Sequence, residues 1–368
     1  MNVVRIDREA LRRNYQAIKA QVGSQAQVMA MIKADGYGHG MVEMATVLQA
    51  AGVRHFGIAT VEQGIALRQA GINAALIVLL GGTASEVEAM HTYSLEPVIF
   101  DSAQFTEFSE AAGKLSGQLP VHLKVDCGMG RLGFKPEDTF AWSEKIQATA
   151  GLELVGIMSH FPSADGDLEL TRQQHEIFSR CVETARTSSA KIKAHIANSA
   201  ATLRGRDFYG DLVRPGLAIY GCYPSADPQW KRTPLLPVMT VASTVVQVED
   251  VPVDKGISYG HVDTTKRPSR LAILPIGYAD GFLRSLSSGV GQVLIRGQRA
   301  PVIGRVCMNV TVVDVTDIPD VRRGDEVIIM GRQGNEQITA DEMAAWMGTI
   351  SYEVLCLLGN NIQRHYIN

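Results

Sequence analysis

Lys33 stands directly after the apolar run 28–32, and glycines follow it at positions 36, 38 and 40. A lysine at the end of a buried strand is partly stripped of water, which lowers its pKa and leaves a nucleophilic amine. Such an amine can form a Schiff base with pyridoxal phosphate. A lysine snorkelling from a strand end is the plainer alternative for this residue taken alone. The glycines allow backbone to approach a ligand closely, and Tyr37 between them offers a hydroxyl to a phosphate. Four more polar clusters follow apolar runs. The segment Lys124 to Gly133, which contains Asp126 and Arg131, begins behind 121–123. His160 follows 154–159, Asn198 and Ser199 follow 195–197, and Arg214, Gly216 and Leu217 surround the last run.

The elements that carry these clusters alternate in texture up to about residue 220. Short, nearly continuous apolar runs at 28–32, 55–59, 75–80, 97–100, 121–125, 154–159, 193–197 and 216–220 have the pattern of strands buried on both faces. Amphipathic stretches at 41–51, 61–70, 103–112 and 170–188 lie between them; Met41, Met44, Ala45, Val47 and Leu48 follow helical spacing. The last crossover, 201–212, has the poorest helical pattern. Eight strands alternating with helices predict a parallel (β/α)8 barrel of the TIM type, whose chemistry sits where strands end. The five polar clusters then converge on one barrel mouth.

The texture changes at the proline-rich linker 224–237. β-branched runs follow at 241–251, 270–274, 290–295, 309–315 and 326–330, with turn signals at 254–256, 296–298 and 323–325. The expected organisation is a barrel over 7–230 and a mostly β domain over 231–368. Residues 1–6 contain a strand-like stretch that could pair with either domain. One barrel takes about 250 residues, so a chain of 368 has room for both.

Composition narrows the function classes. With 46% hydrophobic residues, 20% charged residues and a formal charge of −3, the chain is a soluble globular protein rather than a disordered one. It lacks the basic excess expected of a nucleic-acid binder. No apolar run approaches the roughly 20 residues of a membrane helix, and the first residues lack a signal-peptide core. Five scattered cysteines without a C-x-x-C pair fit free thiols in a reducing, cytoplasmic compartment.

The string Lys33-Ala34-Asp35-Gly36-Tyr37-Gly38-His39-Gly40 resembles the cofactor-lysine motif of bacterial alanine racemases. Further strings similar to that family follow in order: Lys124 to Gly133, His160-Phe161, Asn198-Ser199-Ala200-Ala201, Val213-Arg214-Pro215-Gly216, Ile257-Ser258-Tyr259-Gly260, Ile276 to Gly281, Gly304-Arg305-Val306-Cys307-Met308, and Ser351-Tyr352-Glu353. The resemblance implies a pyridoxal-phosphate barrel followed by a β domain. It implies a homodimer that interconverts L- and D-alanine for peptidoglycan by a two-base mechanism, without a metal.

Residue by residue, the resemblance makes Lys33 the cofactor-bound lysine and the base on one face of the substrate. Tyr259, supplied across the dimer interface, is the base on the other face. A free phenol has a pKa near about 10, so the implied chain from Tyr259 through His160 to Arg214 would help it ionise. Arg214 is a permanent donor and faces the cofactor nitrogen, which then stays unprotonated. Tyr37, Asn198, Ser199, the amides of Gly216 and Leu217, and Tyr352 surround the phosphate. Ser199 can also serve as a helix cap, and both roles use the same amides. Arg131 and the Met308 amide orient the substrate carboxylate. Lys124, seven residues before Arg131, is often carbamylated in the family; pairing with Asp126 is its alternative here. Tyr278 and Tyr352 match an inner gate, and Asp165, Arg284, Arg305 and Ile350 an outer entry. Asn309 departs from the usual aspartate, which puts substrate range rather than reaction type in question.

Other readings predict different residues. A broad-specificity or serine-preferring racemase usually lacks a lysine at 124. A related decarboxylase would carry a glycine-rich phosphate loop and a late cysteine-aspartate motif, neither of which is present. A non-catalytic cofactor carrier would need neither a second domain nor Tyr259. A metal-dependent barrel hydrolase would need several histidines at strand ends, where only His160 stands.

Overall fold

Eight short strands, apolar on both faces, close into a parallel barrel: Gln27–Met31, His55–Ile58, Ala75–Val78, Leu95–Ile99, Leu119–Lys124, Leu152–Met158, Lys193–His195 and Leu212–Val213. The computed structural model describes residues 2–225 and 227–368. Pairing of Gln27 with Leu212 and of Val28 with Val213 closes the barrel. One face of each strand fills the lumen and the other meets a ring of helices, which is why the runs are continuous rather than alternating. Arg8–Val22 precedes the first strand and packs on Met41–Ala50, Leu217–Tyr220 and Ser199–Arg204. Its start is set by Asp7, whose carboxylate accepts from the Ala10 amide at 2.8 Å.

The run 216–220 corrects the sequence expectation. It is not the eighth strand: Leu217–Tyr220 forms a tight turn, and the strand is the two-residue Leu212–Val213. Pro215 has no N–H to give to a ladder, so pairing ends at its carbonyl, which accepts from the Met31 amide at 3.2 Å. The amides of Gly216 and Ala218 turn instead to Ser199 Oγ, at 2.9 and 3.2 Å. The stretch is apolar because Leu217, Ile219 and Tyr220 are buried in the core. The weak crossover 201–212 holds only the helix Ser199–Arg204 and a turn at Arg206–Phe208.

The second domain is built on a sheet whose order runs Gln298–Pro301, Gln292–Ile295, Glu326–Gln333, Met239–Thr244, Val3–Asp7 and Arg364–Ile367. Val3–Asp7 therefore joins the second domain, antiparallel to Met239–Thr244 and parallel to Arg364–Ile367, with Val4 opposite Arg364. The run 241–251 divides between two sheets: Met239–Thr244 in the first, and Gln247–Val251 in a three-stranded sheet with Ser269–Leu274 and Thr311–Asp314. Two helices, Ala340–Met347 and Ser351–Asn361, complete the domain, and the latter packs against the Lys33 segment. No helix among the described residues is long and apolar enough to cross a membrane.

Candidate active site

Beyond Ile32 the chain makes a left-handed turn. Ala34, Asp35, Gly36 and Tyr37 have φ of 51, 51, 63 and 55°. Each non-glycine residue in that region costs about 1–2 kcal/mol, so the surroundings must hold the turn in place. Asp35 accepts from the Met41 amide at 2.7 Å and pairs with Arg364 at 2.6 Å. The His39 ring stacks on Tyr220, 4.4 Å between centroids, and its Nδ1 lies 3.0 Å from the Gly36 and Tyr37 carbonyls. Gly38 lies so close to Ser351–Asn361 that a Cβ there would sit 2.4 Å from the Leu355 carbonyl oxygen. The second domain thus clamps the turn that follows Lys33. Gly38→Ala is expected to destabilise the protein by at least about 2 kcal/mol, from left-handed strain plus this clash. Thermal unfolding would detect it; a melting temperature equal to that of the parent would contradict the clamp.

The turn opens one side of a cavity of about 210 Å³ at the barrel mouth. Lys33, Tyr37, Lys124, Arg131, His160, Asn198, Ser199, Arg214, Gly216, Leu217 and Tyr352 all line it. Met31, Leu79, Leu80, Leu132 and Met158 supply its apolar wall, which sequence reading did not single out. Burial, and then the Arg131 and Arg214 cations, hold the Lys33 amine below the ordinary lysine range. The same causes bring buried Lys124 down to about 8. Asp126 does not pair with Lys124. Its carboxylate is taken by four loop amides, those of Gly128, Met129, Gly130 and Arg131, at 2.7–3.2 Å. The side chains of Lys124 and Arg131 have no hydrogen-bond or ion-pair partner among the described residues.

Arg214 is the most heavily supported group. Nη1 donates to the His195 carbonyl at 2.6 Å and to His195 Nδ1 at 3.0 Å. Nη2 donates to the carbonyls of Ser159 and Ile196 and to His160 Nδ1, at 2.6, 3.2 and 3.1 Å. Only Nε–H has no partner among the described residues. Burial, then Arg131, lowers the Arg214 pKa to about 9, so it still carries its charge at neutral pH. Burial and the surrounding Arg214, Arg131, Lys124 and Lys33 keep His160 neutral. Asn198 caps the helix Ser199–Arg204, accepting from the Ala201 amide at 3.1 Å. Ser199 Oγ holds the Gly216 amide, leaving the Leu217 amide without a partner among the described residues. Tyr37 lies 5.0 Å from Tyr220 and 5.9 Å from Tyr352, centroid to centroid. Burial pushes the Tyr37 phenol above its usual range and Tyr352 up to about 12, so both keep their protons.

Three expected site residues are not in this cavity. Tyr259, Tyr278 and Met308 belong to the second domain and are 70, 41 and 57% exposed. The single chain therefore does not bring them to Lys33.

The models for the N-terminal and C-terminal domains of alanine racemase match residues 6–224 and 238–366. This chain belongs to the alanine racemase family. The alanine racemase of Thermodesulfovibrio yellowstonii is 41% identical over 98% of this chain and 96% of its own length. That of Halothermothrix orenii is 38% identical over 99% and 96%. Among solved structures, alanine racemase from Bartonella henselae with covalently bound pyridoxal phosphate superposes with a TM-score of 0.88 at 29% identity, covering 100% of this chain and 99% of that one. In this alanine racemase family member two further histidines, His122 and His195, lie in the barrel lumen behind Arg214. Their signal in the sequence is a histidine inside an otherwise apolar strand run.

Proposed function

We propose that this protein is a pyridoxal-phosphate-dependent racemase that interconverts L- and D-alanine, with the active site completed by a second copy of the chain. The observation that carries the reading is the cavity itself: a depressed-pKa lysine, a fixed arginine donor and a set of neutral phosphate donors share one barrel mouth. The residues fit the cofactor. A Cβ at Gly216 would sit 2.3 Å from the Tyr37 hydroxyl, so only glycine leaves this cradle open beside the Leu217 amide. Lys33 would hold the aldehyde end, Tyr37, Ser199, Leu217 and Tyr352 the phosphate, and Arg214 Nε–H the ring nitrogen. When bound, the cofactor withdraws electrons from the substrate Cα and makes its proton removable.

The chain's own residues then move that proton. Lys33 Nζ, poised toward its neutral form, removes or returns it on one face. Tyr259 of the partner subunit does the same on the other face, with neutral His160 and cationic Arg214 behind it. Arg131 orients the carboxylate, with the Met308 amide as a second donor. Tyr278 and Tyr352 restrict the side chain to a methyl group, which favours alanine over serine despite Asn309. D-alanine made this way serves peptidoglycan synthesis, and the free thiols fit a cytoplasmic setting.

Lys124 has a specific part. Its neutral amine adds to carbon dioxide and releases a proton, giving a carbamate anion beside Arg131 in place of a second bare cation. Experimental electron density at Lys124 Nζ is expected to show three extra atoms; density ending at the amine would refute this. The direct test of function is chiral chromatography after incubating the yellow holoenzyme with L-alanine and with L-serine. D-alanine should form faster; no D-alanine, or a colourless protein after cofactor addition, would refute the reading. Faster racemisation of serine would favour the broad-specificity form.

A further inference from the structure

Four side chains run in single file along the barrel lumen. Glu96 stands near the start of its strand, at the floor, while His122 and His195 lie buried in the lumen and Arg214 stands at the mouth. Glu96 Oε2 is 2.9 Å from His122 Nε2, His122 Nδ1 is 3.0 Å from His195 Nε2, and His195 Nδ1 is 3.0 Å from Arg214 Nη1. The two ends are chemically one-way. Arginine can only donate, and an ionised carboxylate can only accept. Burial alone would raise the Glu96 pKa, but the hydrogen bond from His122 and then the neighbouring basic groups His122, His55 and Lys193 together outweigh it.

Between such ends, one proton arrangement satisfies every link. His195 carries its proton on Nε2 and leaves Nδ1 bare for Arg214. His122 likewise carries its proton on Nε2, for Glu96, and leaves Nδ1 bare for His195. Any other tautomer sets two N–H groups, or two lone pairs, against each other across about 3 Å, and both rings are buried, so solvent does little to relieve the mismatch. A doubly protonated His122 would push the His195 proton onto Nδ1, against the Arg214 N–H.

We propose that Glu96 is a positioning residue for the active site, setting the tautomers of His122 and His195 so that Arg214 is held with its Nε–H free for the cavity. This deepens the functional reading above, since it gives Arg214 its place opposite the cofactor nitrogen. The position of Glu96 behind two buried rings makes it an unusual contributor: it touches neither substrate nor cofactor. A glutamine there is nearly isosteric but can donate as well as accept, so the reversed order then mismatches only at the Arg214 end rather than at both ends.

The test uses the holoenzyme labelled with 15N-histidine, with ring signals assigned through His122→Asn and His195→Asn. In the parent, both rings should give the neutral Nε2–H pattern. In Glu96→Gln, His122 should become a mixture of tautomers. The variant's kcat should fall roughly tenfold, the lower end for loss of a supporting hydrogen-bond partner, with KM, cofactor content and melting temperature close to the parent's. A merely structural glutamate would move the melting temperature rather than the tautomers. An Nδ1–H or doubly protonated ring in the parent overturns the proposal, and so does Glu96→Gln with unchanged tautomers and kcat. Should that variant not fold, the parent spectrum decides. A yellow enzyme that racemises alanine but fails these tests sinks only this proposal. A colourless, inactive protein sinks the functional reading, and the kinetic half of this proposal with it.

Discussion

Lys33→Ala is expected to lose at least about 10⁴-fold in alanine racemisation, the upper range for a single acid–base group, because two roles disappear together. The amine that would hold the cofactor is gone, and so is the base on one face of the substrate. The variant should fold, since the left-handed turn after position 33 is held by Asp35, Arg364, His39 and the Ser351–Asn361 helix rather than by the lysine side chain. It should also be colourless after dialysis against cofactor-free buffer, whereas the parent stays yellow. Chiral chromatography measures the first effect and visible absorbance the second. A variant that kept its colour and more than about a hundredth of the parent rate would remove Lys33 from the mechanism.

Tyr259→Phe is the second large effect, and it differs in kind. The change leaves the cavity lining intact, so cofactor content and colour should match the parent. Racemisation should fall by about 10³-fold, because a proton can no longer be delivered to the opposite face. Exchange on the Lys33 face survives. In deuterated water the variant should therefore wash the Cα proton out of one alanine enantiomer, with retention, and leave the other nearly untouched. Proton NMR follows this directly, and racemisation at the parental rate would end the two-base assignment. The same variant reports on the partner. Mixed with Lys33→Ala and allowed to exchange subunits, it should recover up to about a quarter of parental activity. Half of the dimers would then be mixed, each carrying one complete site. No recovery after demonstrated exchange would mean that both bases come from one chain.

Sequence patterns made the barrel and its mouth legible for a physical reason. A strand buried on both faces cannot alternate, so runs such as Ala75–Val78 announce themselves, and a titratable residue ending such a run is conspicuous. Lys33, Lys124, His160 and Arg214 are all of this kind. The eighth strand was misread because apolar character records burial, not conformation. Leu217–Tyr220 is as buried as any strand, yet Pro215 and Ser199 decide its backbone. The helix Ala340–Met347 was missed although Thr339, three residues before Glu342, is a capping signal, and its Oγ1 accepts from the Glu342 amide at 3.1 Å. The order of the lumen histidines was beyond sequence reading altogether. It arises from three strands and the Arg214 loop, and no local spacing encodes which ring nitrogen meets which.

The pairing of Val4 with Arg364 has a consequence in time. Lys33 leaves the ribosome early, while Arg364 follows 331 residues later (364 − 33). At typical elongation rates that interval is on the order of half a minute. During it the strand Val3–Asp7 waits without its neighbour and the left-handed turn waits without its clamp. The newborn barrel therefore presents an unpaired edge, a ready template for another chain, and an unset lysine together until the strand Arg364–Ile367 arrives.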